Sequence, residues 1–370
     1  MTVRRLRASG AAHEADAHGS EGNVMDARIR LSMLTSYHGN EADLDPALLA
    51  WLHPAPARPS SGVVQTAADG RTTIALQDNG TAIVQTIGFF PPVIDDPFAY
   101  GEIAAAQAMS GVYALGGEVH FGLSIAAWPE ELPTALLQTI FAGGVAQMAE
   151  GAAQIVGGQT IYATSPHYGL CVTGTIDPAR YLTSAAAQPG DRLYLTKALG
   201  TGVVLAAARR EATTTEHLGE AITSMRRLDR VAATIARREG ATACIGIAGR
   251  GLLGHAAQLA LGSACGLRLA VAAVPFLSGA LEYAELGFIP AITARNRATF
   301  AAQFATDSPA RWAPRESVAD LLHDPQTSGG LLLGVPAARA TAFQAAFARE
   351  RVALWPIGEV VAGSGVTLQP

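Results

Sequence analysis

From Gly88 to Gly117 the chain reads GFFPPVIDDPFAYGEIAAAQAMSGVYALGG, and this stretch constrains the fold more than any other. The apolar run TAIVQTIGFF, residues 81–90, predicts a buried strand, and Pro91-Pro92 ends it. Asp95-Asp96-Pro97 supply a cap and an N1 proline for a helix through Ile103 to Ala114. Gly116-Gly117 stop that helix. A strand feeding a turn and a helix N-terminus is a natural anion site. Here, however, the facing positions Gly88 and Gly111 carry no side chain.

A length of 370 residues accommodates two domains, each with its own core. Abundant alanine and glycine with few aromatics suit close-packed α/β layers. A net charge of −5 excludes the basic face that nucleic-acid binding requires, and the short Arg4-Arg5-Leu6-Arg7 run reads as a solvated tail. Three cysteines, Cys171, Cys244 and Cys265, are widely spaced without a CxxC, which points to neither a disulfide framework nor a zinc site. A reducing, cytoplasmic setting is the expectation. No apolar run reaches membrane-spanning length, so no membrane partner is expected. Lys197, in LTKALGTG, is the chain's only lysine.

Composition divides the chain into four parts. Residues 1–27 read as a disordered extension, with Met25 an alternative start to Met1. Residues 28–61 form an N-terminal segment and linker, with a short strand at 29–34, a helical turn or two at 46–52, and HPAPARPSS at 53–61. Residues 62–186 form a first α/β domain. Its strands are expected at 72–76, 81–90, 121–127, 153–156 and 168–176, the last packed on both faces; its helices are expected at 97–114 and 134–150. A turn at 187–191 leads into a second α/β domain, 187–370. Its helices are expected from about 202, at 216–238, 276–287 and 337–349, with 249–261 a glycine-rich turn entering a helix; its strands are expected at 192–196, 267–274 and 352–357, with 323–334 a loop entering a strand.

Four stretches together resemble the selenophosphate synthetases (selenide, water dikinases). They are FFPPVIDDPFAYGEIAAAQAMSGVYALGG (89–117), TGTIDPARYLTSAAAQPGDRLYLTKALGTG (173–202), GLLGHAAQLA (251–260) and LLHDPQTSGGLLLGV (321–335), with a weaker echo in GALEYAELGFIPAITARN (279–296). The resemblance runs from about residue 28 to the C-terminus. It implies an α/β (α+β) fold like that of the aminoimidazole-ribotide synthetases: two domains, the N-terminal ones pairing into a dimeric β-barrel. It implies ATP at the domain junction and a reaction of ATP, selenide and water giving selenophosphate, AMP and phosphate. Mg2+ serves that reaction, because phosphoryl transfer develops charge that carboxylate-held cations offset.

The chain departs from the family at the positions that carry this chemistry. Asn40 stands where the resemblance places a Cys or selenocysteine, and Asp43 where it places a Lys. A carboxamide cannot replace a thiolate nucleophile, and an aspartate inverts the field a phosphate would meet. Family metal-binding Asp positions fall on Gly88, Gly111 and Gly246; a further acidic motif falls near Gly70-Arg71, with Asp69 able to fill in if the register slips. GGQTIY places Gln159 and Tyr162 where the family has His and Asp. Losing one preorganised electrostatic group costs on the order of 10²–10³ in rate.

Retained family positions are Thr86, Asp95, Asp96, Lys197, Thr201, Arg295, Asn296, Asp324, Gln326, Thr327 and Ser328. Of these, Thr86, Asp95, Lys197, Arg295, Asp324, Gln326, Thr327 and Ser328 are the nucleotide-binding candidates. Each also has a plainer reading. Asp95-Asp96 cap a helix, 324–327 form a turn, Gly329-Gly330 permit close packing, and Lys197 ends a strand at the surface. His255 reads as a packed helix residue, while His120, His167 and His323 show no ligand spacing. Three functions stay open. One is a catalytically impaired pseudoenzyme of selenium metabolism that binds a nucleotide without Mg2+, or pairs as a homodimer or as a mixed dimer with an active relative. Another is an enzyme of changed substrate, its cleft lined by Gln159, Tyr162, Arg250 and Arg295. The third is an active dikinase with a rebuilt site.

Overall fold

The structure is a computed structural model that describes residues 30–33, 64–66, 72–77, 80–301 and 313–370. Asn40, Asp43, Asp69, Gly70 and Arg71 lie outside the described residues, as do the expected extension, linker and 46–52 helix. Residues Leu31–Pro370 pack as one unit. Leu31–Met33 is a 3-10 turn rather than the expected strand, because Ser32 is tied sideways. Its backbone N–H and Oγ both donate to Asp95 Oδ1, at 3.0 and 2.7 Å.

The first sheet contains β1 (Val64–Thr66), β2 (Thr72–Leu76) and β3 (Ala82–Phe90). After α1 (Pro97–Ala114) comes β4 (Glu118–Trp128); after α2 (Thr134–Glu150) come β5 (Gln154–Tyr162) and β6 (His167–Ile176). Its order is β1-β2-β3-β6-β4-β5, antiparallel except for the β4–β5 pair. Along β3 every second residue is buried: Ala82, Val84, Thr86, Gly88 and Phe90 face inward, while Ile87 and Phe89 stay exposed. β6 alternates too, burying Tyr168, Leu170 and Val172 and leaving Cys171 and Thr173 partly open, so it packs on one face rather than two. Its mixed Thr and Gly composition reflects the open face. Asp96 caps α1 by accepting the Ala99 N–H at 3.0 Å, with Pro97 at N1. α1 and α2 approach so closely that a Cβ on Gly101 would stand 2.0 Å from the Ile140 carbonyl oxygen.

The second sheet begins with β7 (Asp191–Leu195). Next come α3 (Thr201–Arg209), α4 (Thr215–Arg226) and α5 (Arg230–Arg238), then β8 (Ala243–Gly246), α6 (Gly251–Gly262) and β9 (Gly266–Ala270). α7 (Ala280–Glu285), α8 (Ala291–Phe300) and α9 (Glu316–Leu322) precede β10 (Leu331–Pro336). α10 (Ala340–Arg349), β11 (Trp355–Val361) and β12 (Gly365–Gln369) close the chain. The strand order is β12-β9-β11-β7-β10-β8, with β12 parallel to β9. Leu193, Leu195, Ile245, Leu253, Leu267 and Leu332 belong to its core.

Two expectations need correction here. The single helix expected at 216–238 is α4 and α5, broken at residues 227–229. The break frees the Arg227 carbonyl to accept from Lys197 and the Arg227 guanidinium to donate to the Thr196 carbonyl at 2.7 Å. The strand expected at 352–357 sits later, at Trp355–Val361, and β12 follows it, because Gly363 and Gly365 take left-handed φ and turn the chain back.

Candidate functional site

A cavity of about 330 Å3 opens where the two sheets' layers meet. α1 contributes Gln107, Ser110 and Gly111; β2 contributes Thr72; β8 contributes Cys244 and Gly246; residues 183–185 and Ser328-Gly329 complete the wall. Thus Gly111 and Gly246, 135 positions apart in the chain, face one space. Gly88 lies just behind it: a Cβ there would stand 2.7 Å from Gln107 Oε1.

The three glycine sites differ in the room they leave. A Cβ on Gly111 would lie 2.5 Å from Thr72 Oγ1 and 2.6 Å from Thr86 Oγ1, two hydroxyls that bond each other at 3.3 Å. On Gly246 the nearest atoms would be Ser110 Oγ at 3.6 Å and Ala114 Cβ at 3.8 Å, an open position. Neutral groups occupy the ground between them. Among the described residues, the lining offers hydroxyls, a carboxamide and a thiol, and no carboxylate. Mg2+ is bound through carboxylate and phosphate oxygens, so this donor set does not fit it. Burial holds the Cys244 thiol well above the ordinary range, which makes it a packed group rather than a nucleophile.

Lys197 is not at the surface, contrary to one of its two sequence readings. It is 1% exposed and lies directly behind the cavity wall. Its ammonium donates to the carbonyls of Arg227 at 2.6 Å and Ser328 at 2.9 Å, and pairs with Asp229 Oδ1 at 3.5 Å. Asp229, 3% exposed, accepts the Ser110 hydroxyl on its other oxygen at 3.1 Å. Burial pulls the Lys197 pKa down and pushes that of Asp229 up, while each charge opposes the shift of the other. This chain of contacts joins α1 of the first sheet to β7 and the 227–229 break of the second.

The loop DPQTSGG is bound to the start of α3. Gln326 Oε1 accepts from the Gly200 and Thr201 N–H groups and from the Thr201 hydroxyl, at 3.1, 3.3 and 3.2 Å. Asp324 Oδ2 accepts from the Gly202 N–H and from Gln326 Nε2, both at 2.9 Å, and the Thr327 N–H donates to Thr201 Oγ1 at 3.0 Å. Burial pushes the Asp324 carboxyl up to about 8. Asn296 adds bonds to the Gly249 and His323 carbonyls, and His255 Nε2 accepts the Ala248 N–H at 3.0 Å.

Of the eight nucleotide candidates, only Ser328 lines the cavity. Thr86 is buried beside it, and Lys197 and Thr327 lie behind Ser328. Asp324 and Gln326 are enclosed by α3, Asp95 holds Ser32, and Arg295 is exposed on α8. The four residues expected to line a repurposed cleft do not meet there. Gln159 and Tyr162 lie on β5, Tyr162 being 78% exposed, and neither they nor Arg250 and Arg295 border the cavity. Sequence reading missed Gln107 and Ser110, although both sit within one helical turn of Gly111 on the same helix. It also missed Asp229, which a continuous helix would have hidden.

Two stretches of the chain match protein families: residues 68–176 match the N-terminal domain of AIR synthase related proteins, and residues 188–369 match their C-terminal domain. The fold is shared with a solved thiamine-monophosphate kinase from Stenotrophomonas maltophilia K279a (TM-score 0.63, 18% identity, 83% of this chain and 91% of that one). These findings make it a two-domain protein of the AIR synthase-like fold. Within that class it is 38% identical over 318 residues to a selenide, water dikinase of Pelobacter propionicus, covering 84% of this chain and 89% of the relative. It is 35% identical over 341 residues to that of Escherichia coli K12, covering 91% and 96%. The chain belongs to the selenide, water dikinase family. Among the described residues, no helix is long and apolar enough to cross a membrane.

Proposed function

We propose that this family member has lost, or keeps only weakly, the phosphoryl transfer of its relatives and acts by binding. The neutral cavity lined by Gly111 and Gly246, with Gly88 just behind it, carries this reading. Dikinase chemistry needs fixed charge around the transferring phosphoryl group, and hydroxyls with a carboxamide supply none. Its ligands are a nucleotide taken without Mg2+ and a partner chain, either a second copy or an active relative. The outer face of the first sheet, where Ile87, Phe89, Phe121 and Leu123 are exposed, supports pairing. A changed-substrate enzyme has no such support, because none of its four proposed residues borders this cavity.

Calorimetry of ATP binding with and without Mg2+, followed on the same sample by AMP release with selenide, tests the proposal. Binding indifferent to Mg2+ with no AMP release is the expected result. Mg2+-dependent binding with AMP formation overturns it in favour of an active dikinase.

A further inference from the structure

The polar groups of the cavity are biased toward one charge class of ligand. Its volume of about 330 Å3 suits a molecule at the small end of the usual range of ~300–1,000 Å3. Gln107 is 5% exposed and lines it, yet its carboxamide oxygen is wholly buried without a hydrogen-bond partner. Such an orphan in a native fold calls for a physical reason, since it costs about 1–3 kcal/mol. A carboxamide presents a donor on one edge and an acceptor on the other, and flips at little cost, so it reads neutral groups such as amides and carbonyls.

Ser110 sharpens the bias. Its hydroxyl proton is committed to Asp229, so what it turns to the cavity is lone pairs, which repel an anion and accept from N–H or O–H. Lys197, the one lysine, offers nothing in compensation: its ammonium is directed at two carbonyls and Asp229 behind the wall. Among the described residues, no cation lines the cavity to accompany a phosphate or carboxylate. An anion placed there would be desolvated without a counter-charge among the described residues.

We propose that the cavity binds an uncharged small molecule, donating to the Ser110 oxygen and engaging the Gln107 carboxamide, and that it excludes phosphate and carboxylate groups. The inference rests on the binding reading above and names the chemistry of the ligand. The nucleoside part of a nucleotide meets this specification, and its phosphates belong outside the cavity.

Saturation-transfer NMR on the full chain, without divalent metal, tests this with a panel of lactams, primary amides and adenosine. Each lactam and amide is paired with a carboxylate counterpart, while AMP, whose phosphate lies outside the cavity, is expected to bind as adenosine does. Uncharged members are expected to bind, their counterparts not. Gln107→Leu should weaken binding about tenfold, the effect of one net hydrogen bond. Gly246→Val, which fills the open position on β8, should abolish it, with circular dichroism verifying both folds. Anionic counterparts binding as well as the neutral members, neutral binding unmoved in both variants, or no neutral member binding would each overturn the inference. AMP release from Mg-ATP and selenide on the same preparation would instead remove the binding reading itself. No AMP release and no neutral binding together would remove only the ligand class.

Discussion

Removing Asp229 should be among the most damaging single changes in this protein, and removing its partner as well should undo much of the damage. Lys197 and Asp229 are 1% and 3% exposed, so neither charge can turn to water when the other is deleted. In Asp229→Ala the ammonium keeps the Arg227 and Ser328 carbonyls but loses its one counter-charge among the described residues. Breaking a buried pair in this way costs about 3–5 kcal/mol. Lys197→Met strands the Asp229 carboxylate with only the Ser110 hydroxyl and the guanidinium of Arg227 nearby, at a similar cost of about 3–5 kcal/mol. The double variant leaves no buried charge. Its remaining cost is two carbonyls without their donor, about 2–4 kcal/mol. The single losses sum to about 6–10 kcal/mol, so the cycle should show a coupling of about 2–8 kcal/mol. Urea unfolding followed by circular dichroism measures each arm. If Asp229→Ala is too unstable to purify, Asp229→Asn, which keeps an acceptor for Ser110, replaces it. Additive losses in the double variant would refute the argument that these two charges stabilise one another.

Three further outcomes follow from the geometry. The Asp324 carboxyl, raised by burial to about 8 from 3.8, holds its proton in the folded state through a range where the unfolded chain has released it. Its contribution is therefore full below about pH 4 and is lost as pH rises toward 8, so Tm against pH should slope down more in the wild type than in Asp324→Asn. An equal slope in both sinks that assignment. Gly246→Asp should fold with a loss of only about 1–2 kcal/mol, since its Cβ meets nothing closer than 3.6 Å and only desolvation opposes it. Gly111→Asp must also part the Thr72–Thr86 pair and should cost more, about 2–4 kcal/mol in chemical denaturation; the reverse ranking contradicts the packing described here.

Much of the chain was legible residue by residue because the signals are local. The apolar run of β3 and the Asp96-Pro97 cap of α1 are set within a few residues by sterics and hydrogen bonding. The family motifs were legible for a similar reason: DPQTSGG has few ways to close its own turn and satisfy the start of α3. Other features depended on partners far along the chain. Nothing near residue 227 in the sequence interrupts a helix, yet the helix breaks there because Lys197, thirty positions earlier, needs a carbonyl and a carboxylate in its buried site. The strand expectations stop at 357, and β12 forms because β9 supplies an edge to pair with.

The amino-acid sequence by itself determined which positions lack charge: Gly88, Gly111 and Gly246 are glycines in any fold. Only the tertiary structure decided that Gly111 and Gly246 line one cavity with Gly88 just behind its wall, that Gln107 and the Thr72 and Thr86 hydroxyls occupy the space side chains would have filled, and that the lone lysine points away from it. The physical reason is that a residue's chemistry is covalent and local, whereas a site's electrostatics depend on which distant groups burial brings together and which it removes from water.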